Sequence, residues 1–364
     1  MRDHVGLGWR PELAAGILAH LESIDVLEVI ADDLFDAPRP ARHALRSLGA
    51  TRPLALHGVS LGLASAAAVD GRRLEKMARL AGELQPAFWS EHLAFVRAGG
   101  LEIGHLAAPP RTRATLDGLA ANFDRARRIV GTAPLLENVA TLLEPPGSEM
   151  DEAGWTAAVL EEMPVRLLLD LHNLHANAFN FGFDAAGFLG RIPLDRVKAV
   201  HLAGGRLVAP PAAAEAVPAR LLDDHLHDVP DPVYALLEEL ASRCPQPLTV
   251  ILERDGAYPP MAALLDQLAR ARAALERGRA RADHLPPAAP PAAAPPATAA
   301  PLPEDLLARI YVDPLQRAEV LADPHGFARR AGLSAGQGDA LAALDRPGLA
   351  LAAASFARKR AARR

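Results

Sequence analysis

Cysteine is almost absent: the 364 residues contain one, Cys244, so no disulfide framework can hold the chain together. That fits a reducing compartment, and the location expected is cytoplasmic. Basic residues are not in excess either. Lys and Arg number 39 against 44 Asp and Glu, a formal charge of −5, whereas a nucleic-acid partner calls for a basic face. The opening MRDHVGLGWRPE has no apolar signal-peptide core, and no apolar run reaches membrane-spanning length, so no membrane association is expected. GLGWR does not make the glycine fingerprint of a phosphate-binding loop, which weighs against a doubly wound open sheet. Cys244 stands before Pro245 and reads as structural.

What the chain does have is apolar mass and a repeating order. Half of it is hydrophobic, enough for a sizeable core. Short apolar segments fall at 5–9 (VGLGW), 26–30 (VLEVI), 54–59 (LALHGV) and 88–93 (FWSEHL). Four more fall at 134–139 (PLLENV), 166–171 (RLLLDL), 197–203 (VKAVHLA) and 248–253 (LTVILE). Between most of them lie helical stretches. Residues 71–84 carry Leu74, Met77, Leu80 and Leu84 as one stripe, and 112–130, 151–162 and 232–243 have helical character too. Strands alternating with helices imply parallel pairing, and eight such units suit an α/β fold, a closed (β/α)8 TIM barrel over residues 1–284.

Composition changes at Leu285. Residues 285–303 are nearly all proline and alanine, which predicts an extended, semi-rigid linker. Residues 304–364 predict a small helical domain. Leu306, Leu307 and Ile310 form a stripe, Asp313-Pro314 and Asp323-Pro324 read as helix starts, and Gly332 and Gly348 as punctuation. Its tail, SFARKRAARR, has five basic residues in the last seven. A bundle this small is marginal alone and is expected to lean on something.

Polar residues gather where the apolar segments end. They include His57, Ser90-Glu91-His92, Glu137-Asn138, Asp170 with His172, Asn173 and His175 behind it, His201, and Glu253-Arg254-Asp255. Asp223-Asp224-His225-Leu226-His227 lies between the last two segments. In a barrel all strand C-termini open on one mouth, so these groups should meet in space. That many carboxylates do not stay ionised together in a low-dielectric pocket without cations. Imidazole with carboxylate suits iron, zinc or manganese, and the supply of ligands exceeds what one ion takes, so two or three ions are expected. Ser90 beside His92 is a weak candidate for a Ser-His pair.

These segments, in order, are GLGWRPE, LEVIADD, LALHGVSLGLAS, SEHLAF, LLENVATLL, LLLDLHNLHANAFNFGFD, VHLAGG, DDHLHDVPDPVYALL and ILERDGAYPP. Together, from residue 5 to about 275, they resemble the multinuclear non-haem iron-dependent oxidative enzymes, the family of the methanobactin-biosynthesis enzyme MbnB. The resemblance implies a xylose-isomerase-like barrel, two or three irons, and dioxygen as cosubstrate. It implies as substrate a ribosomally made precursor peptide, modified commonly at cysteine, often with a separate partner protein that presents it. The ligand pattern also resembles the endonuclease IV group of the same barrels, which keeps a metal-dependent hydrolase or phosphodiesterase as the alternative. Carried over, the pattern falls on His57, His92, Glu137, Asp170, His201, Asp223, His225 and Glu253, with Asn173 where that group has histidine. His172 or His175 is a candidate to compensate. A bridging carboxylate is sought among Glu137, Asp170 and Glu253, which are the catalytic candidates. Asn138, Asp224 and Asp255 are placed to orient imidazoles, and Asp32, His227 and Arg254 to contact peptide. For the C-terminal helices two roles stay open: capture of the peptide or partner, or a stabilising cap.

Overall fold

The computed structural model describes residues 2–209, 219–282 and 300–362. Eight parallel strands close into a barrel: β1 (His4–Gly8), β2 (Leu27–Ile30), β3 (Leu54–Gly58), β4 (Phe88–His92), β5 (Leu135–Glu137), β6 (Arg166–Asp170), β7 (Val197–Leu202) and β8 (Thr249–Leu252). They follow chain order around the ring, and β8 pairs back on β1 with Gly6 opposite Ile251. The helices predicted between them form. Gly71–Leu84 buries Leu74, Met77, Leu80 and Leu84, each worth about 2 kcal/mol relative to exposure. Asp70 caps its start by accepting from the Arg72 amide at 2.9 Å. Thr112 and Asp151 cap Arg113–Val130 and Glu152–Glu162 in the same way.

Period-two alternation decides what fills the barrel. Val5, Leu7, Leu54, Leu56, Leu167 and Leu169 face outward into the main core under the helices. Inward-facing Val26, Ala55, Phe88, Leu135, Leu168, Ala199 and Ile251 make an apolar plug. Two residues further along each strand the same face carries Glu28, His57, Ser90, Glu137, Asp170, His201 and Glu253. One step of the pleat therefore separates a dry floor from a polar mouth.

The C-terminal helices are Glu304–Val312, Pro314–Ala322, Pro324–Arg330, Ala335–Ala342 and Arg346–Ala362. Asp313 and Asp323 cap two of them as expected. Gly332 sits at φ 70°, a left-handed stop. Gly348 does not punctuate: it lies in the first turn of Arg346–Ala362 and donates to Asp345 Oδ1 at 3.0 Å. Of the predicted linker, 285–299 lie outside the described residues. At its end Leu302 is buried, 3% exposed, in a second core.

That second core explains how so few residues hold together. Leu306, Leu307, Ile310, Tyr311 and Phe356 pack against Phe95 and Ile103 of the hairpin Phe95–Ala98/Leu101–Ala107 and against Leu142 and Leu143. Polar ties add direction. The Glu304 carboxylate accepts from Ser65 Oγ at 2.6 Å and the Ala66 amide at 2.7 Å, and Arg220 pairs with Asp345 at 2.9 Å. Ser65, the hairpin, Leu142 and Arg220 follow β3, β4, β5 and β7, so the bundle roofs the mouth of the barrel. Among the described residues no single helix is long and apolar enough to cross a membrane.

Candidate metal centre

A cavity of about 480 Å³ opens at the mouth, lined by His57, His92, Glu137, Asp223, His225 and Glu253 among others. Asp170 and His201 lie with them, each 0% exposed. Glu137 is central. Its Oε2 lies 3.5 Å from His57 Nε2 and 3.4 Å from His92 Nε2, and its Oε1 lies 3.2 Å from His201 Nδ1. Glu253 Oε2 is 3.1 Å from His201 Nδ1 and 3.6 Å from His225 Nδ1. His225 Nε2 stands 2.9 Å from Asp223 Oδ2. Among the described residues three groupings offer ligand atoms within 4.8 Å of one another: Glu28, His57 and His201; His57, His92 and Glu137; Glu137, Asp170, His201 and Glu253. Such clusters can bind several metal ions.

The fit to cations rests on unsatisfied atoms. Glu137 Oε2, Asp170 Oδ2, His172 Nε2, Asn173 Oδ1 and His225 Nε2 are buried with no hydrogen-bond partner among the described residues. Leaving one such atom unpaired costs about 1–3 kcal/mol, so a cluster of them calls for a shared partner. His225 Nε2 and Asp223 Oδ2 approach closely without hydrogen-bond alignment, as two ligands of one ion do. Ligand atoms bound at about 2.0–2.2 Å in a tetrahedral or octahedral shell lie about 3.0–3.5 Å apart, the spacing seen around Glu137.

Electrostatics agree. Burial by itself would lower the His92 pKa, but the Glu137 carboxylate, then Glu91 and Glu253, outweigh it and raise it to about 9. His201 is raised against its burial by Glu253, Glu28 and Glu137, and His225 by Asp223 and Glu253. Asp170 is pushed well above the carboxylate range by burial, then by Glu137 and Asp223. Protons on His92, His201 and His225 thus balance the carboxylates of the pocket. A cation would take their place.

The surrounding groups orient the imidazoles. Ser90 Oγ is 2.8 Å from His57 Nδ1, so Ser90 serves His57 rather than the His92 beside it in sequence. His92 Nδ1 faces Gly58 O at 3.1 Å, which leaves Nε2 to the cavity. Asp255 holds His225 Nδ1 at 3.0 Å and is itself held by Arg10 Nε at 3.1 Å. His225 takes a left-handed backbone, φ 55°, strain that its partners offset. Asn138, expected to orient an imidazole, instead braces the Asp170 backbone: it accepts from the Asp170 amide at 2.8 Å and donates to the Asp170 carbonyl at 2.9 Å, and Asn173 Nδ2 donates to Asn138 O at 3.0 Å. His172 Nδ1 lies 2.8 Å from Asp223 Oδ1.

Other predicted residues are turned elsewhere. His175 is half-buried, its ring 6.4 Å from that of His172, and does not line the cavity. His227 is exposed and pairs with Asp224 at 2.9 Å, while Asp224 also takes Arg206 at 3.2 Å. Arg254 braces its own loop through Gly256 O at 2.9 Å and Ala257 O at 2.7 Å. Asp32 accepts from the Val59 amide at 2.8 Å. Sequence reasoning missed Glu28, 0% exposed, whose Oε2 is 3.0 Å from His201 Nε2. The available signal was a lone carboxylate inside the apolar run VLEVI. Cys244 is buried, its thiol pushed up to about 12 by that burial, and plays no part in the site.

Comparison with known proteins gives the chain's family. The chain is 39% identical over 285 residues to a UPF0276 protein of Streptomyces avermitilis, spanning 76% of this chain but only 56% of that relative's length. It is 35% identical over 253 residues to a UPF0276 protein of Rhizorhabdus wittichii, covering 69% of this chain and 86% of the other. Among solved structures an L-ribulose 3-epimerase superposes with a TM-score of 0.50 at 14% identity, over 78% of this chain and 100% of that one, a likeness of fold alone. The model of the RiPP precursor modification enzymes MbnB/TglH/ChrH, which modify ribosomally made peptides, matches residues 4–276, and the chain belongs to that family.

Proposed function

We propose that the chain binds two or three iron ions and uses dioxygen to oxidise a residue, cysteine, of a ribosomally made precursor peptide. The observation that carries this reading is the set of overlapping ligand groupings joined through Glu137, in a chain of this family. His57, His92 and Glu137 would hold one ion. Glu137, Asp170, His201 and Glu253 would hold a second, and Asp223 and His225 with Glu253 a third, beside Asn173 Oδ1. When bound, iron supplies the redox chemistry for dioxygen and a grip on the substrate sulfur. The chain's own part is to bind, orient and exclude. Ser90, Gly58 and Asp255 fix which nitrogen of each imidazole faces inward. The apolar plug closes the pocket from below, and the helical roof covers part of its mouth.

Protein purified without oxygen should carry two or three irons per chain. Given dioxygen and a short Cys-bearing precursor peptide, with any partner protein that presents it, the loaded chain should change that peptide's mass at cysteine. Zinc- or manganese-loaded protein should not. Phosphodiester cleavage by a zinc form that never consumes oxygen would replace this reading with the hydrolase.

Metal loading should release protons. His92, raised to about 9, and His201 and His225, raised by the carboxylates around them, hold protons that a cation displaces. Affinity should therefore rise as pH goes from 6 to 9, and titration calorimetry in buffers of different ionisation enthalpy should show at least one proton released per chain. A loading heat independent of buffer contradicts this.

Glu28 would act through His201. By taking Nε2 it leaves Nδ1 to the Glu137 and Glu253 side. Glu28→Gln should weaken metal retention about 10–100-fold, the usual effect of losing a partner behind a ligating imidazole. Chelator competition reads it directly, and unchanged retention would remove Glu28 from the centre.

A further inference from the structure

The helix Arg346–Ala362 presents one stripe to the pocket. Ala352, Ser355, Phe356 and Lys359, spaced i, i+3, i+4 and i+7, all line the cavity. The stripe is locked in place. Phe356 is 8% exposed, with ring centroids 5.4 Å from Tyr311 and 5.7 Å from His105. Arg360 donates to Ile103 O at 2.8 Å. Its stem crosses Gly104, where a Cβ would come within 2.1 Å of Arg360 Cγ, so only glycine admits it. Both neighbours on the helix are thus fixed, while Lys359 is exposed and has no hydrogen-bond or ion-pair partner among the described residues. The arginine of the lining, Arg10, is already held by Asp255. On another part of the rim stand Glu12 and Asp33, exposed residues that follow β1 and β2. Besides the carboxylates of the centre, the mouth therefore has an unengaged ammonium on the helix and two exposed carboxylates, Glu12 and Asp33, on the loops after β1 and β2.

We propose that this helix face is a wall of the peptide subsite and that Lys359 binds a carboxylate of the substrate next to the modified residue. The inference rests on the peptide-substrate reading above and adds to it a substrate class: peptides acidic on the side facing the helix. The carboxylate comes from an Asp or Glu side chain or from a peptide C-terminus, and the chemistry at Lys359 is the same. Glu12 and Asp33 disfavour that acidic side in the reverse orientation, so the pair of rims sets the direction in which the peptide lies.

The test uses the full metal-loaded chain without oxygen and labelled, N-acetylated five-residue peptides. Three amidated peptides carry Cys followed by Asp, Asn or Lys, and a fourth ends in a free carboxylate at Cys. By fluorescence anisotropy the wild type should bind the Asp peptide, the free-acid peptide or both about fivefold more tightly than the Asn peptide, as for a partly exposed charge pair. Which of the two gains identifies the source of the carboxylate. Lys359→Gln should erase the preference and Lys359→Glu should turn it toward the Lys peptide. Lys359 is exposed, so both variants should keep the wild-type melting temperature and metal content. Equal binding of all four peptides, binding of none, or a preference that survives Lys359→Glu overturns the proposal. Admitting oxygen to the same samples separates the two claims. Charge preference without oxidation sinks the iron-oxidation reading and leaves the subsite, and oxidation without charge preference does the reverse.

Discussion

On the proposed function, Glu137→Gln should strip at least one metal ion from each chain and lower peptide oxidation by about a thousandfold or more. Among the described carboxylates only Glu137 belongs to two of the three ligand groupings, which makes it the bridging candidate. Glutamine keeps the shape but loses the charge and turns one acceptor oxygen into an NH2 donor. Set 3.2–3.5 Å from three imidazole nitrogens, an NH2 can neither accept from their N–H groups nor ligate a cation between them. The bare protein gives a second readout. Glu137 is the strongest of the carboxylates that raise His92, so in the variant the His92 pKa should fall from about 9 toward its ordinary value, as followed by NMR. Glu102→Gln is the matched control, because Glu102 lies on the exposed face of the hairpin and pairs with Arg97 at 2.9 Å away from the pocket. Wild-type metal content with turnover within threefold of normal would remove Glu137 from the centre of the account.

Much of the barrel was legible because its signals are local. Each strand is a short apolar run, each helix a stripe with a cap, and the pleat places a polar residue two positions beyond a plug residue, as in Ala55/His57, Leu135/Glu137 and Ala199/His201. Glu28 escaped because the polar residues were sought at segment ends. A closed barrel staggers its strands, so the level of the site falls at a different point along each one. In β2 that level lies before Ile30, inside the run. Ser90 was paired with His92 by sequence, yet its register partner on β3 is His57, and that is the imidazole it meets. His227 and Arg254 sit beside ligand candidates in sequence but face away, since neighbours on a loop share no fixed face. The roof was the least legible part. Leu142, Phe95 and Phe356 look like unrelated apolar residues until the fold brings them together.

A single methyl group at Gly6 should destabilise the fold by about 3 kcal/mol or more, at the upper end for overpacking, because backbone stands in the way. A Cβ there would lie 2.0 Å from Val26 O and 2.4 Å from Val26 Cγ1. The carbonyl does not give easily: it accepts from the Leu7 amide at 3.2 Å as part of the β1–β2 pairing. Gly6→Ala must therefore spread the two strands or break that pairing, and the plug beneath the site shifts with them. Gly82→Ala is the counterpart. Gly82 is exposed in the helix Gly71–Leu84 with nothing within 4 Å of its would-be Cβ, so alanine there should stabilise by about 0.5–1 kcal/mol. Urea unfolding of the two variants should move the midpoint in opposite directions. None of the proposed ligands comes from β1, so Gly6→Ala chains that stay folded should keep most of their metal, unlike Glu137→Gln. If Gly6→Ala unfolds at the wild-type midpoint, the β1–β2 spacing is not fixed as described.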